Sequence, residues 1–231
     1  MLKVTITEIP TVSIEIYSDV VCPWCYIGKR RFEAGLASAE SDDLGVNFEV
    51  SYRPYQLDPT AEPGAAGPVL DAYARKFGGL VQAEQILSRV TASAAEEGLE
   101  FNLDRALRAN TLLAHRLLWL ADQPESAVDQ KALKERLLKA YFTDGANIGD
   151  PQALADCAAD VGFERDEIVQ FLESDRGVPE VAAELEEARN NGISAVPTYV
   201  LNGQWAVPGA QDAETFAQVL RKMAAKATES E

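Results

Sequence analysis

Two cysteines separated by two residues, at a point where a strand pattern gives way to a helix pattern, constrain this chain more than any other feature. They belong to the motif Cys22-Pro23-Trp24-Cys25, which follows a β-branched and aromatic stretch at 13–19 that is typical of a strand. Pro23 favours the first position of a helix, so we expect a helix from there to about residue 39 with Cys22 as its N-cap. Cysteines three residues apart on a helix share one face and can form a disulfide after a small adjustment. A reversible dithiol is therefore the first hypothesis.

The next strand pattern completes a βαβ unit. Apolar residues at every second position, typical of a half-buried strand, are Val46, Phe48, Val50 and Tyr52. A strand, a helix and a strand connected in this order are nearly always right-handed with parallel strands. The turn that carries Cys22 is therefore expected at the carboxyl end of the sheet.

A Pro- and Gly-rich loop at 58–64 separates this unit from a long helical region. From Pro68 to about residue 174, the pattern of apolar residues, glycines and prolines predicts about six helices. The clearest of them is expected over 104–121. Asp150-Pro151 predicts an N-cap residue followed by proline at the first helical position.

The C-terminal part of the chain returns to a mixed pattern. A helix is expected over 179–190, and an apolar run at 198–201 is typical of a strand. Asn202-Gly203 then predicts a type I′ hairpin turn, which needs positive φ at both central residues. A return strand at 204–207 and a terminal helix complete the chain.

This order of elements predicts an α/β fold class: a thioredoxin-like fold, made of a βαβ unit plus a β-hairpin and a helix, with an inserted all-helical domain. We assign 1–60 and 176–231 to the thioredoxin-like domain and 61–175 to the insertion. Residues 1–12 resemble a short leader, with room for an extra edge strand, and carry no chemistry that we can identify.

Composition limits the partners of this chain. With 21 basic against 37 acidic residues its formal net charge is −16, which opposes binding to nucleic acid or anionic lipid because both need clustered Lys and Arg. The first ten residues lack the apolar core and cleavage site of a secretory signal, and no run approaches the length of a membrane span. We therefore expect a cytoplasmic protein with no nucleic-acid or membrane partner.

The number of cysteines also limits their role. Three cysteines are too few for a disulfide framework, and a CxxC motif in a reducing compartment is more often catalytic or metal-binding.

The position of Cys22 favours nucleophilic chemistry. Unpaired N–H groups and the dipole at a helix N-terminus favour the thiolate that thiol–disulfide exchange requires. We expect Cys22 to attack and Cys25, one turn deeper, to resolve the mixed disulfide. Asp19 could raise the pKa of Cys22 or cap a turn, and we favour the cap. Cys157 lies on an apolar helix face, which favours core packing.

The order of elements and five sequence stretches together resemble the DsbA-like branch of the thioredoxin superfamily, and within it the FrnE-type proteins. The stretches are SDVVCPWCYIG at 18–28, RPYQL at 53–57, NTLLAHR at 110–116, VPT at 196–198 and GAQ at 209–211. The resemblance implies a protein disulfide oxidoreductase in which Cys22 and Cys25 form the redox-active centre. It implies protein or peptide thiols and disulfides as partners, and no cofactor beyond the redox-active disulfide.

The same resemblance implies that Val196-Pro197 is the cis-proline loop that faces the disulfide, with the backbone of Val196 receiving an extended substrate. Without the resemblance, Pro197 would be interpreted as a proline at the start of a strand. Trp24 stands where the most oxidising DsbA proteins have histidine, so the direction of electron flow is open. An exposed aromatic ring there, beside Cys22, could shape the substrate surface, and Pro23 is a further candidate for lining the site.

His115 is the only histidine of the chain. We favour a structural, hydrogen-bonded side chain in an apolar helix. The alternative is that the insertion presents Asn110, His115 and Arg116 toward the cysteines, where cationic groups would stabilise a thiolate.

Two other functions are compatible with the sequence. Chromene-carboxylate isomerases and kappa glutathione transferases, from the same superfamily, usually carry Ser at the position of Cys22, so two cysteines favour redox chemistry over a glutathione-dependent small-molecule isomerase or transferase. Glutathione nevertheless stays a candidate co-substrate. The third function is a non-catalytic zinc- or peptide-binding module. No metal is expected, because the spacing of the candidate ligands matches no ordinary zinc finger or ribbon: Cys22, Cys25, Cys157 and His115.

Overall fold

The computed structural model describes residues 9–64 and 66–229. Its strands are β1 (Thr11–Ser18), β2 (Asn47–Pro54), β3 (Gly67–Pro68), β4 (Leu107–Arg108), β5 (Thr198–Leu201) and β6 (Trp205–Pro208). Its helices are α1 (Pro23–Glu40), α2 (Val69–Phe77), α3 (Leu80–Glu96), α4 (Leu112–Ala121), α5 (Gln130–Lys139), α6 (Pro151–Ala159), α7 (Arg165–Glu173), α8 (Val178–Asn190) and α9 (Ala213–Glu229). A π-helical turn, Ala140–Asp144, extends α5.

Four of the strands form one sheet in the order β2-β1-β5-β6. β1 is parallel to β2 and antiparallel to β5, so β1, α1 and β2 form the predicted βαβ unit. The predicted hairpin is also confirmed, since Asn202 and Gly203 have φ values of 49° and 64° between β5 and β6. The predicted leader falls largely on residues 1–8, which lie outside the described part of the chain, whereas Thr11 and Val12 begin β1.

Two apolar cores lie on either side of the first helix. One packs the sheet against α9 and the C-terminal part of α1, through residues such as Ile14, Phe32 and Phe216. The other fills the space between the helices from α2 to α7 and includes Tyr26 and Ile27 from the start of α1. The motif helix therefore joins the sheet to the helical region. The domain boundaries at 60/61 and 175/176 remain predictions.

The helical region holds six helices, as expected, but its clearest predicted helix was too long. Residues 104–121 were expected to be helical, whereas α4 begins only at Leu112. Upstream, β4 pairs with β3 in a two-stranded sheet that the apolar pattern did not predict. The side chain of Asn110 accepts the Leu112 N–H at 2.9 Å and so marks the start of the helix. The predicted cap at Asp150 is confirmed, because its carboxylate accepts the N–H groups of Gln152 and Ala153. None of the helices within 9–64 and 66–229 is both long and apolar enough to cross a membrane.

Candidate active site

The CxxC motif forms the first turn of α1. Cys22 is the N-cap residue in an extended conformation, and Pro23 occupies the first helical position, as the sequence predicted. The Cys22 carbonyl accepts N–H bonds from Cys25 at 3.0 Å and Tyr26 at 3.4 Å, which closes the turn. Both cysteines are free thiols with 4% and 3% of their surface exposed, while the adjacent Trp24 ring is 42% exposed. Both cysteines therefore lie almost entirely beneath the surface, next to an exposed aromatic ring.

The loop before β5 faces the motif from the opposite side. The Val196-Pro197 peptide bond is cis, which confirms the expectation from the resemblance. The Val196 carbonyl oxygen lies 3.7 Å from Cys22 Sγ and can accept its hydrogen. The Pro197 carbonyl accepts the Gly209 N–H at 2.7 Å, which ties the loop to the end of the hairpin. The candidate site is thus assembled from the start of α1 and the start of β5.

The pKa values of the two buried thiols are shifted in opposite directions. A hydrogen bond to Cys25, together with burial, raises the pKa of Cys22 well above its ordinary value. Burial would also raise the pKa of Cys25, but the hydrogen bond from Cys22 and the positive charge of Lys134 outweigh it and lower that pKa. The single S–H hydrogen of Cys22 can point either to Cys25 or to the Val196 carbonyl oxygen, which lies 3.7 Å from Cys22 Sγ. The direction for Cys22 is opposite to the one expected from the helix N-terminus, where Cys22 would be the more acidic thiol.

Asp19 ties the motif loop to the loop after β2. Its buried carboxylate accepts the Val20 N–H and the Leu57 N–H, both at 2.8 Å, so it caps turns as we favoured. His115 Nε2 lies 3.2 Å from the Asp19 carboxylate and 3.0 Å from the Tyr55 carbonyl oxygen. Because that carbonyl can only accept, Nε2 carries the hydrogen. His115 is thus a buried, hydrogen-bonded side chain behind the motif.

Asn110 and Arg116 do not reach the cysteines. Asn110 donates to the Ala61 carbonyl at 2.7 Å and, besides starting α4, accepts from Gln56 at 3.3 Å, so it holds the loop after β2. The buried Arg116 guanidinium donates to carbonyl oxygens at the end of α7 and just beyond it, those of Phe171, Leu172, Ser174 and Arg176. The suggestion that Arg116 stabilises a thiolate is therefore wrong, because its donors are used in closing that helix end.

Lys134 is the charged residue near the cysteines that the sequence analysis missed. It lies in α5, is 1% exposed, and its ammonium group has no hydrogen-bond partner among the described residues. The ammonium nitrogen lies 5.4 Å from the centre of the Tyr52 ring. Burial lowers the pKa of Lys134 to about 8, although Cys25, Asp19 and Cys22 attract its charge. The available signal was a lysine on the apolar face of a helix, beside Leu133 and one turn before Leu137 and Leu138.

A groove of about 590 Å³ opens beside the motif, because Val21 forms part of its wall. Its apolar lining includes Leu57, Tyr73 and Phe77, and its basic residues are Arg75, Lys76 and Arg108. Of these, Arg108 is paired with Asp58 at 2.6 Å. The groove therefore combines apolar surface with positive charge, in a chain whose net charge is −16.

Cys157 lies away from the motif, in the core of the helical region. It is 3% exposed, and burial raises its pKa, which agrees with the predicted packing role. Within the described part of the chain, no three side chains of the metal-binding types His, Cys, Asp and Glu come together as a metal site would require.

Known proteins resemble this chain over most of its length. A family model described as a DSBA-like thioredoxin domain matches residues 13–221. The uncharacterized protein YwbO of Bacillus subtilis is 28% identical over 215 residues, which cover 91% of this chain and 96% of that protein. The crystal structure of the probable DsbA oxidoreductase SCO1869 of Streptomyces coelicolor is 33% identical, with a TM-score of 0.83 over 93% of this chain and 90% of that one. The cytosolic disulfide reductase DsbM of Pseudomonas aeruginosa, solved with GSH, shares the fold at 14% identity, with a TM-score of 0.61 over 94% and 99% of the two chains.

Proposed function

Because this chain belongs to the DSBA-like thioredoxin domain family, we propose that it is a thiol–disulfide oxidoreductase that exchanges electrons with protein or peptide substrates through Cys22 and Cys25. The observation that carries the proposal is the placement of Cys22 Sγ at 3.7 Å from the Val196 carbonyl oxygen, at the first turn of α1. An extended substrate that pairs with the backbone of Val196 would bring its own sulfur to Cys22. The FrnE-type subgroup is part of the proposal.

The exchange can be written bond by bond. In the disulfide form, a substrate thiolate attacks Cys22 Sγ, the Cys22–Cys25 bond breaks, and Cys25 leaves as a thiolate. A leaving thiol with a low pKa leaves faster, so the surroundings that stabilise the Cys25 thiolate speed this step. A second substrate thiolate then attacks the substrate sulfur of the mixed disulfide and releases Cys22. Two electrons pass from the substrate to the pair, and the reverse sequence reduces a substrate disulfide.

Replacing the attacked sulfur tests the mechanism. We expect Cys22→Ser to lose at least about 1,000-fold in turnover of a dithiol peptide, because no mixed disulfide with residue 22 can form. Cys157→Ser, which changes a buried thiol in the helical core, is the matched control and should keep its activity per folded molecule. The measurement is oxidation of a fluorescent dithiol peptide with glutathione disulfide as the terminal oxidant. Turnover by Cys22→Ser close to that of Cys157→Ser would contradict the proposal.

Two further measurements distinguish the alternative functions. Glutathione-dependent isomerisation catalysed by Cys25→Ala would favour the small-molecule alternative. Stoichiometric zinc in protein purified without chelator, bound through Cys22 and Cys25, would favour the binding module. We also propose a cytoplasmic location, supported by the likeness in fold to a cytosolic disulfide reductase, which fractionation of the source cells tests.

A further inference from the structure

The loop before β5, which faces Cys22, has few bonds to the rest of the molecule. Ser194 and Ala195 are exposed, and Val196 is half-buried. The Ala195 carbonyl accepts the Thr198 hydroxyl at 2.8 Å, which is a bond to the strand residue that directly follows the loop. Within the described part of the chain, the Val196 N–H donates to no acceptor, so it is free to pair with a substrate backbone. The strand ladder therefore does not hold the Val196 backbone in place.

Tyr55, just after β2, bonds this loop from a distant part of the sequence. Its hydroxyl donates to the Ser194 carbonyl at 3.1 Å, two residues before Val196. Among the described residues, the only distant groups within hydrogen-bonding distance of the backbone of 194–196 are this hydroxyl and Cys22 Sγ. The loop position therefore depends on where the Tyr55 side chain lies.

The backbone around Tyr55 is anchored to the turn that carries the motif. The Tyr55 carbonyl accepts the Nε2 hydrogen of His115 at 3.0 Å, and the same nitrogen lies 3.2 Å from the Asp19 carboxylate. That carboxylate also accepts the Leu57 N–H at 2.8 Å, while the Asp19 carbonyl accepts the Cys22 N–H at 3.3 Å. Both Asp19 and His115 are buried, so water does not compete for these bonds. A buried set of hydrogen bonds thus fixes Tyr55 relative to Cys22.

These contacts form a closed ring around the candidate site. The buried half of the ring runs from Cys22 through Asp19 and His115 to the Tyr55 backbone. The other half runs along the Tyr55 side chain to the loop before β5 and ends at the Val196 carbonyl, 3.7 Å from Cys22 Sγ. Because the first half is buried and fully bonded, the Tyr55 hydroxyl sets the distance between the loop and the motif.

We propose that Tyr55 is a positioning residue that holds the Val196 backbone where an extended peptide can pair with it and present its own sulfur to Cys22. The inference deepens the proposed function and rests on it. It also gives a role to two stretches that carry no thiol, RPYQL at 53–57 and NTLLAHR at 110–116, which together fix the support for the loop. Misplacement of a reacting group by about 1 Å can cost about 100-fold in rate, so one hydrogen bond at this point matters for the substrate.

This role affects two kinds of substrate unequally. Dithiothreitol has no peptide bond, so it attacks Cys22 Sγ without pairing with Val196 and does not depend on the position of the loop. A dithiol peptide depends on both residues. If the Tyr55 hydroxyl only stabilised the fold, its removal would lower the amount of folded protein and reduce both activities in the same proportion.

The first test therefore compares both substrates on one variant. Tyr55→Phe removes the hydroxyl and keeps the ring, and since the lost bond is exposed we expect the variant to fold. We expect kcat/KM for oxidation of a dithiol peptide to fall about tenfold, mainly through a higher KM, while the rate constant for dithiothreitol stays within about twofold.

Tyr26→Phe is the matched control. It also removes a phenol hydroxyl, which donates to Glu135 at 2.7 Å and has no printed bond to the loop before β5. Its activities per folded molecule should both be unchanged. An equal fall of both activities in Tyr55→Phe, or no fall of either, would overturn the inference.

The second test is an equilibrium that needs no turnover. In the Cys25→Ala background, Cys22 keeps a mixed disulfide, and a peptide thiol displaces 2-mercaptoethanol from it: one disulfide bond breaks, one forms, and the proton passes to the released thiol. We expect the exchange constant to fall about tenfold when Tyr55→Phe is added, because only the peptide pairs with Val196. An unchanged constant would overturn the inference. Failure of the unaltered protein to oxidise any dithiol peptide would instead contradict the proposed function, and this constant would still report on the loop.

Discussion

Glu135, on α5, binds three side chains of α1. It accepts the Tyr26 hydroxyl at 2.7 Å and the Lys29 ammonium group at 2.7 Å, and it forms a two-point contact with the guanidinium of Arg30. Burial alone would raise the pKa of Glu135, but the hydrogen bonds from Arg30 and Lys29 outweigh it and lower that pKa to about 2. One carboxylate therefore joins the motif helix to the helix that carries Lys134.

This pairing predicts a pH dependence of stability. The folded-state pKa lies below the ordinary value of 4.5, so the stabilisation is fully present above about pH 5 and is lost as the pH falls toward 2. Since the carboxylate is 30% exposed, we expect Glu135→Gln to lower the free energy of unfolding by about 1–3 kcal/mol at pH 7, and by less at pH 3. Urea denaturation at the two pH values measures this difference. The exposed Glu40→Gln serves as control; a loss for Glu135→Gln that is the same at both pH values would contradict the ion-pair explanation.

The sequence was informative for residues whose role follows from their local pattern. Cys22, Cys25 and the turn at Asn202-Gly203 could all be placed from spacing alone, and the conformation of Pro197 came from the resemblance. The burial of Lys134 could not be found in this way, because it arises from packing of α5 over the Tyr52 ring of β2, which is remote in sequence. Only its position on an apolar helix face indicated that it would be buried.

At the scale of elements, two glycines set how closely α1 approaches its neighbours. A methyl group on Gly28 would lie 3.1 Å from Pro197 Cγ and 2.8 Å from the Tyr199 hydroxyl, so this glycine lets α1 meet the loop that faces Cys22. A methyl group on Gly35 would lie 2.6 Å from the Ala213 carbonyl oxygen, at the contact with α9. The two positions are seven residues apart and share one face of the helix.

Substitution of these glycines separates stability from activity. We expect Gly28→Ala and Gly35→Ala each to lower the free energy of unfolding by about 1–3 kcal/mol, because the added methyl group overpacks a close contact. Only Gly28→Ala should also lower kcat/KM for a dithiol peptide, by about tenfold, since it displaces Pro197 relative to Cys22. Urea denaturation and peptide oxidation at equal concentrations of folded protein measure the two effects. Equal activity of both variants would show that the Pro197 loop does not position the substrate.

The order of elements could be predicted because each strand or helix was indicated by a pattern within its own stretch of sequence. The alternation at 46–52 and the proline at position 23 specified their strand and helix without reference to the rest of the chain. The start of α4 was misplaced because Leu107 fits the apolar period of a helix, whereas in the fold it pairs with Pro68 across the small sheet. A contact between segments distant in sequence overrode the local pattern there.

At the scale of the whole molecule, α1 belongs to both apolar cores. Tyr26 and Ile27 lie in the helical core, whereas Phe32 and Ala39 lie in the core of the sheet. Loss of either core would expose one half of the same helix to water. The inserted helices and the sheet are therefore expected to unfold together.

Single-tryptophan variants test this cooperativity. Trp119 reports on the helical region, and Trp205, whose ring lies 3.8 Å from the Lys226 ammonium group, reports on the hairpin. We expect a variant with Trp119 as its sole tryptophan and a variant with Trp205 as its sole tryptophan, Trp24 being replaced in both, to unfold in urea with the same midpoint, since a two-state transition gives coincident curves for different probes. A separate, earlier transition for either probe would show instead that the predicted insertion at 61–175 folds as an independent unit.

The contact between Gln130 and Tyr52 also protects the sheet from unwanted pairing. β2 is an edge strand, and edge strands offer unpaired backbone groups to other chains. The Gln130 side-chain amide satisfies both the N–H and the carbonyl of Tyr52, as a residue of an added strand would. A second polypeptide therefore cannot extend the sheet across this point of β2, and β6 is left as the edge strand without such a block at its end of the order β2-β1-β5-β6 among the described contacts.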